Sequence, residues 1–217
     1  MALAFDASTD GGNTSATSLT FAHTCTSADI LWVFTVLGSN NLTSVTYNGT
    51  AMTQAVTKTG GAGNCFLHFL YSPTTGTNNV VITAGASMTI YGMASSYTGA
   101  NQSGQPDATG SANVAGVGSG TWTGLDITSI ADNCWAIMGS FKTFTEIPGA
   151  TFGCTTRRQA ASICLVDTNS AKTPAGSISM RVAHTGGSQN YTHVGATFSP
   201  SVPSSNNSLR SLTGMGF

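Results

Sequence analysis

The sequence predicts an all-β protein: one antiparallel β-sandwich, jelly-roll-like, of about a dozen strands, with an extended C-terminal tail. Three observations predict it. Short runs rich in Val, Ile, Thr, Tyr and Phe recur along the chain, separated by clusters of Gly, Pro, Asn and Ser. No segment keeps the apolar period of a helix. Hydrophobic residues make up 40% of the 217, yet charged residues make up only 7%, against roughly 25% in an ordinary soluble protein. The exterior must therefore consist of Thr, Ser, Asn, Gln and Gly. The length suits a single sandwich, read as a domain over residues 1–199 followed by a linker and arm over residues 200–217.

Residues 3–6 form a short apolar segment, expected as an edge strand, and the Asp10-Gly11-Gly12-Asn13 cluster turns after it. In residues 18–25, Leu19, Phe21, His23 and Cys25 fall on one side, which reads as a half-buried strand with His23 as a hydrogen-bonded core histidine. The most hydrophobic run, residues 30–38, reads as a buried strand. Asn48-Gly49 lies between two alternating runs, the pattern of a two-residue hairpin in which both central residues take positive φ. Residues 58–64 read as a loop.

The stretch over residues 64–99 organises the chain and reads as a three-stranded meander: residues 65–71, 79–83 and 88–93, with turns at Pro73 and Gly85. In its first run Leu67 and Phe69 point one way and Phe66 and Leu70 the other, as in a central strand covered on both faces. Residues 100–120 are polar and Gly-rich and read as a long loop. Strands follow at residues 121–127, 134–141, 160–166, 177–182 and 191–198, with a turn at Pro148-Gly149. Pro200, Pro203 and the Ser/Asn cluster to Ser208 read as an extended linker. Beyond it, Leu209, Arg210, Leu212, Met215 and Phe217 form an arm that either frays or docks on a partner.

The net charge of −1 and the scatter of the basic residues argue against nucleic acid, which needs a dense basic patch. No stretch approaches the 18 or so apolar residues of a membrane-spanning helix. The N-terminus lacks the basic and long apolar regions of a secretory signal. An exterior of extracellular type without such a signal suits a virion protein made in the bacterial cytoplasm and released by lysis; a leader replaced by Met is the alternative. Of the five cysteines, Cys65 and Cys134 read as small buried hydrophobes. Cys154 and Cys164 are a candidate disulfide if residues 157–161 turn a hairpin.

An enzyme is not expected. Glycan cleavage needs two facing carboxylates, the chain has a single Glu, Glu146, and most aspartates stand at turns. No nucleophile elbow of the G-x-S-x-G type occurs. No cofactor or metal is expected: Asp107, Asp126 or Asp132 could meet a calcium ion, but no acidic loop accompanies them. The candidate glycan contacts are Trp122, Tyr97, Tyr191, Asn101 and Gln102, whose rings could stack on sugars and whose amides could bond hydroxyls. Packing at the core or its rim is the first expectation for Trp122, and a stacking platform the second.

The runs Asp29-Ile30-Leu31-Trp32-Val33, Val45-Thr46-Tyr47-Asn48-Gly49, Tyr71-Ser72-Pro73-Thr74-Thr75-Gly76, Ser96-Tyr97-Thr98-Gly99 and Val194-Gly195-Ala196-Thr197-Phe198 occur in this order. They resemble successive strands of a β-sandwich (jelly-roll or Ig-like) domain family of tailed-bacteriophage virion proteins, also found in some bacterial surface proteins. The resemblance spans about residues 17 to 200. It implies a non-enzymatic capsid-decoration, fibre or tail-associated subunit, homo-oligomeric and in contact with other virion proteins. The alternative is a carbohydrate-binding adhesin module for host surface glycans.

Overall fold

A computed structural model describes residues 1–142, 151–160, 162–184 and 186–202. Fifteen strands and no helix occur among them. In chain order they are β1 (Ala4–Cys25), β2 (Ile30–Leu37), β3 (Leu42–Tyr47), β4 (Thr50–Ala51) and β5 (Thr53–Lys58). Next come β6 (Asn64–Tyr71), β7 (Gly76–Thr98), β8 (Ala108–Val117), β9 (Trp122–Thr128) and β10 (Trp135–Lys142). The last are β11 (Thr151–Phe152), β12 (Thr155–Ala160), β13 (Ile163–Asp167), β14 (Ser177–Ala183) and β15 (Gln189–Phe198). Every pairing is antiparallel, as the sandwich expectation requires.

Three sheets form: β4-β3-β7-β2-β6-β5 with β1 also on β7, β12-β13-β10-β15-β8, and β11-β14-β9. They stack around three apolar cores. The first sheet curls around a core of its own, because β3 and the first half of β7 (Val45, Tyr47, Val80, Ile82) pack against β2 and the second half of β7 (Leu31, Val33, Ile90, Ala94). Its other face packs on the five-stranded sheet through Trp32, Phe34, Leu67, Phe69, Ile137, Leu165 and Phe198. The far face of that sheet packs on the three-stranded one through Met138, Val166, Leu125, Ile127, Ile178 and Met180. More layers are thus present than a two-sheet sandwich needs.

This stacking explains the composition of each strand. In β2 the even-numbered residues face one core and Leu31, Val33 and Leu37 the other, so all eight are buried. β10 and β13 are likewise apolar on both faces. A side-chain period of two with a core on each side produces an uninterrupted apolar run. β9 and β14 have a core on one face only, and they alternate.

Four expectations change. The turn at Asp10-Gly11-Gly12-Asn13 is absorbed into β1, which runs from Ala4 to Cys25 with only a register shift between Asp10 and Asn13. The meander does not exist: β6 pairs with β2 and β5, and β2 separates it from β7. Leu67 and Phe69 do face one core and Phe66 and Leu70 the other, as expected of a strand inside the sheet. The turn at Gly85 is absorbed into β7, whose register against β1 jumps from Thr83 opposite Ser18 to Met88 opposite Ala16. There the extra residues bulge and the strand bends. The loop over residues 100–120 contains β8, which pairs with β15. Its outward and inward residues are nearly all small, so the alternation is too faint to read as a strand. The Asn48-Gly49 hairpin forms as expected, with φ of 47° and 76°.

Residues 200 and 201 remain attached to the body: Pro200 bridges Ala100, and Ser201 accepts from the Met1 ammonium at 2.9 Å. The predicted arm residues Leu209, Arg210, Leu212, Met215 and Phe217 lie outside the described residues, as does Glu146.

Candidate binding surfaces

Polar side chains inside the body are occupied in holding it together. Asp167 is fully buried between layers, where its Oδ2 accepts from the Tyr97 hydroxyl and from Arg157 Nε, both at 2.6 Å. Arg157 in turn lies 4.0 Å over the Phe5 ring. Burial first, and then the Asp167 charge, push the Tyr97 hydroxyl well above its ordinary range. Tyr191 is also fully buried, with its hydroxyl 2.9 Å from His184 Nδ1 and its ring stacked on His193. Both tyrosines are therefore corrected as glycan contacts, because neither ring reaches solvent.

Two histidines contact serines, and neither arrangement is a catalytic one. His193 touches Ser140 Oγ at 2.8 Å and Thr123 Oγ1 at 2.9 Å, with all three side chains buried. His23 touches Ser96 Oγ at 3.1 Å, but Ser96 donates to Asp6 Oδ2 at 2.7 Å, so the carboxylate holds the hydroxyl and does not orient the imidazole. A nucleophile and base that work need an oriented imidazole and a reachable hydroxyl. Burial lowers His23 and His68 to about 4 and His193 to about 3, so all three stay neutral.

The candidate metal ligands are likewise engaged. Asp107 accepts from the backbone N–H groups of Ile130 and Ala131, and Asp132 from that of Ala175. No cluster of three metal-binding side chains occurs among the described residues. Cys154 and Cys164 are free thiols, which corrects the candidate disulfide. The hairpin closes later than expected: β12 continues to Ala160, which pairs with Ile163, so Cys164 sits opposite Gln159 and Cys154 falls before β12. Burial pushes these thiols up, to about 11 for Cys154 and about 12 for Cys164.

Gln102 is exposed, but its amide is committed: Nε2 donates to the Asp29 and Ala100 carbonyls and Oε1 accepts from Ser72. Asn101 is half-buried and donates its backbone N–H to Ser199. It lines a cavity of about 870 Å³ whose walls include Leu3, Ala131, Trp135, Pro200 and Val202. The exposed apolar residues Met1, Ile130 and Val202 stand at or next to this cavity.

The other exposed large apolar residues, Trp122 and Phe152, lie on the outer face of the three-stranded sheet, 50% and 63% exposed. Trp122 was expected first to pack. Thr123, Leu125 and Ile127 instead take the inward positions of β9, so Trp122, Asp126 and Thr128 face out. The rings stand 6.3 Å apart with their planes at 62°. Beside them Arg181 bonds Asp126 Oδ2 at 2.6 Å and the carbonyls of Leu125 and Met180 at 2.6 and 3.0 Å. The Ser179 hydroxyl donates to Asp126 Oδ1. Ser179 and Arg181 together hold the Asp126 carboxyl below its usual range. Phe152 and Arg181 were not read from the sequence as site residues. The alternation of Ser177, Ser179, Arg181 and Ala183 along β14 was the available signal for Arg181.

No protein-family model, no curated protein and no solved structure matches this chain.

Proposed function

We propose that this protein is a non-enzymatic structural subunit of a tailed-bacteriophage particle, of the capsid-decoration, fibre or tail-associated kind, and that it works through surface contact. The observation that supports this most is the apolar end of the molecule. Met1 and Val202 stand exposed on the rim of the 870 Å³ cavity and Ile130 stands exposed next to its lining residue Ala131, and exposed apolar surface of this kind marks sites where proteins associate. The backbone that carries Ile130 is fixed by Asp107, which accepts from the N–H groups of Ile130 at 2.7 Å and Ala131 at 3.0 Å. The partner is another virion subunit, either a second copy of this chain or a capsid or tail protein. Buried, neutral histidines and committed aspartates fit a role without chemistry.

The test is sedimentation of the full chain across the micromolar range, alone and with particles. Association or co-sedimentation that Ile130→Asp weakens is expected. A monomer at every concentration that also ignores particles would refute the proposal. A second reading, a carbohydrate-binding module for host surface glycans, is favoured by the Trp122–Phe152 pair alone.

A further inference from the structure

We infer that the outer face of the β11-β14-β9 sheet is a platform for a short neutral oligosaccharide, one pyranose ring of which lies against Trp122 while the hydroxyls of its neighbour meet the Asp126–Arg181 pair. The inference rests on the carbohydrate reading and is independent of the particle reading. The face has two chemistries on one strand, the aromatic one at Trp122 and the polar one at Asp126, four residues and so about 13 Å further along β9, with Arg181 opposite Gly124 between them. Trp122 on β9 lies opposite Ala183 of β14, and Phe152 on β11 lies opposite Arg181, so the two rings flank the middle strand. A T-shaped pair with one ring half exposed and the other more so leaves ring surface facing outward.

Between the rings and the polar groups the floor is bare. Gly124 sits opposite Arg181, and a Cβ there would come within 2.0 Å of the Met180 carbonyl oxygen, so close strand approach keeps this position without a side chain. Ala183 and Ser179 are small. Arg181, the one long side chain between Trp122 and Asp126, is bonded down onto the Leu125 and Met180 carbonyls.

The polar half is fixed before any ligand arrives. Arg181 has three of its five N–H groups held by Leu125, Met180 and Asp126. The rest, and the remaining lone pairs of a carboxylate that is 54% exposed, can bond a pair of neighbouring hydroxyls. Thr128 and Ser177, paired across β9 and β14, extend the row of hydroxyls along the same face.

Charge selects the ligand. Arg181 and Asp126 neutralise each other, so the face offers no net attraction to phosphate, sulfate or carboxylate groups. A ligand with one apolar C–H face and a hydroxylated edge matches a face with one aromatic end and one polar end, and neutral pyranoses have that build.

The molecule carries its own reporter. Trp32 is fully buried and Trp135 is 7% exposed, so of the three tryptophans Trp122 dominates any solvent-dependent change in emission. The experiment titrates the full chain with glucose, galactose, N-acetylglucosamine and their neutral oligomers, alongside glucuronic and sialic acids. A saturable blue shift or quench with a neutral sugar is expected. Trp122→Ala should abolish binding measured by calorimetry, and Asp126→Asn should weaken it about tenfold, with unchanged thermal unfolding of both variants. No response to any sugar, neutral or acidic, overturns the carbohydrate reading as a whole. Binding that survives Trp122→Ala, or that is confined to the acidic sugars, overturns this site while leaving a carbohydrate function in place.

Discussion

Mild acid should unfold this protein, and the reason is its buried histidines. His23, His68 and His193 are 1%, 5% and 0% exposed, and burial lowers them from 6.5 to about 4, 4 and 3. In the unfolded chain each binds a proton near pH 6.5. Between that pH and the folded value the unfolded state holds more protons, so stability is full above pH 6.5 and falls as the solution is acidified. From pH 6.5 to 4.5 each group removes about 2 kcal/mol, and the three together roughly 6 kcal/mol. That is comparable with the whole stability of a domain, about 5–15 kcal/mol. The reference carboxylate range, about 3.9 to 4.3, lies below this window. The assay is urea unfolding at a series of pH values, with imidazole proton shifts followed in parallel. Equal stability at the two ends of the window, or imidazoles of these residues titrating near 6.5, would refute the reasoning.

Other expectations follow from single contacts. Asp167→Asn should destabilise by about 3 kcal/mol, because it leaves Arg157 without its carboxylate beside a buried Tyr97; urea unfolding showing less than about 1 kcal/mol would contradict this. Gly139→Ala should cost about 1–3 kcal/mol, since its Cβ would come within 2.2 Å of the Phe34 ring where two sheets meet. A thermal midpoint equal to that of the wild type would count against that packing. A thiol-reactive dye should find Cys25, Cys65, Cys134 and Cys164 inert in the folded protein and Cys154 slow, with all five reacting after unfolding. Only three reactive thiols in the unfolded, unreduced chain would restore a disulfide.

The strands with a core on each side were the most legible. Ile30 to Leu37 is apolar without a break, and only burial on both faces accounts for that. The Asn48-Gly49 turn was legible because its backbone demand is local. Pairing was not: the bend of β7 depends on a bulge against β1, and nothing within residues 84–88 distinguishes a bent strand from a turn. The tyrosines misled for the same reason. Tyr97 lies beside Ser95 and Ser96 and looks like a surface residue, while its partner Asp167 is 70 residues away in sequence. Trp122 could have been placed from parity, since Leu125 and Ile127 must face the core and residues 122, 124 and 126 therefore face out. Phe152 lies in a two-residue strand, too short to carry a pattern.

Hydrogen exchange, read by mass spectrometry on the chain alone and then assembled with itself or with particles, most directly tests whether the molecule acts through its apolar end. Added protection over residues 1–3, 130–135 and 199–202 is the predicted result. Assembly that leaves those amides unchanged and protects a different face, such as the edge at β5, would contradict the account.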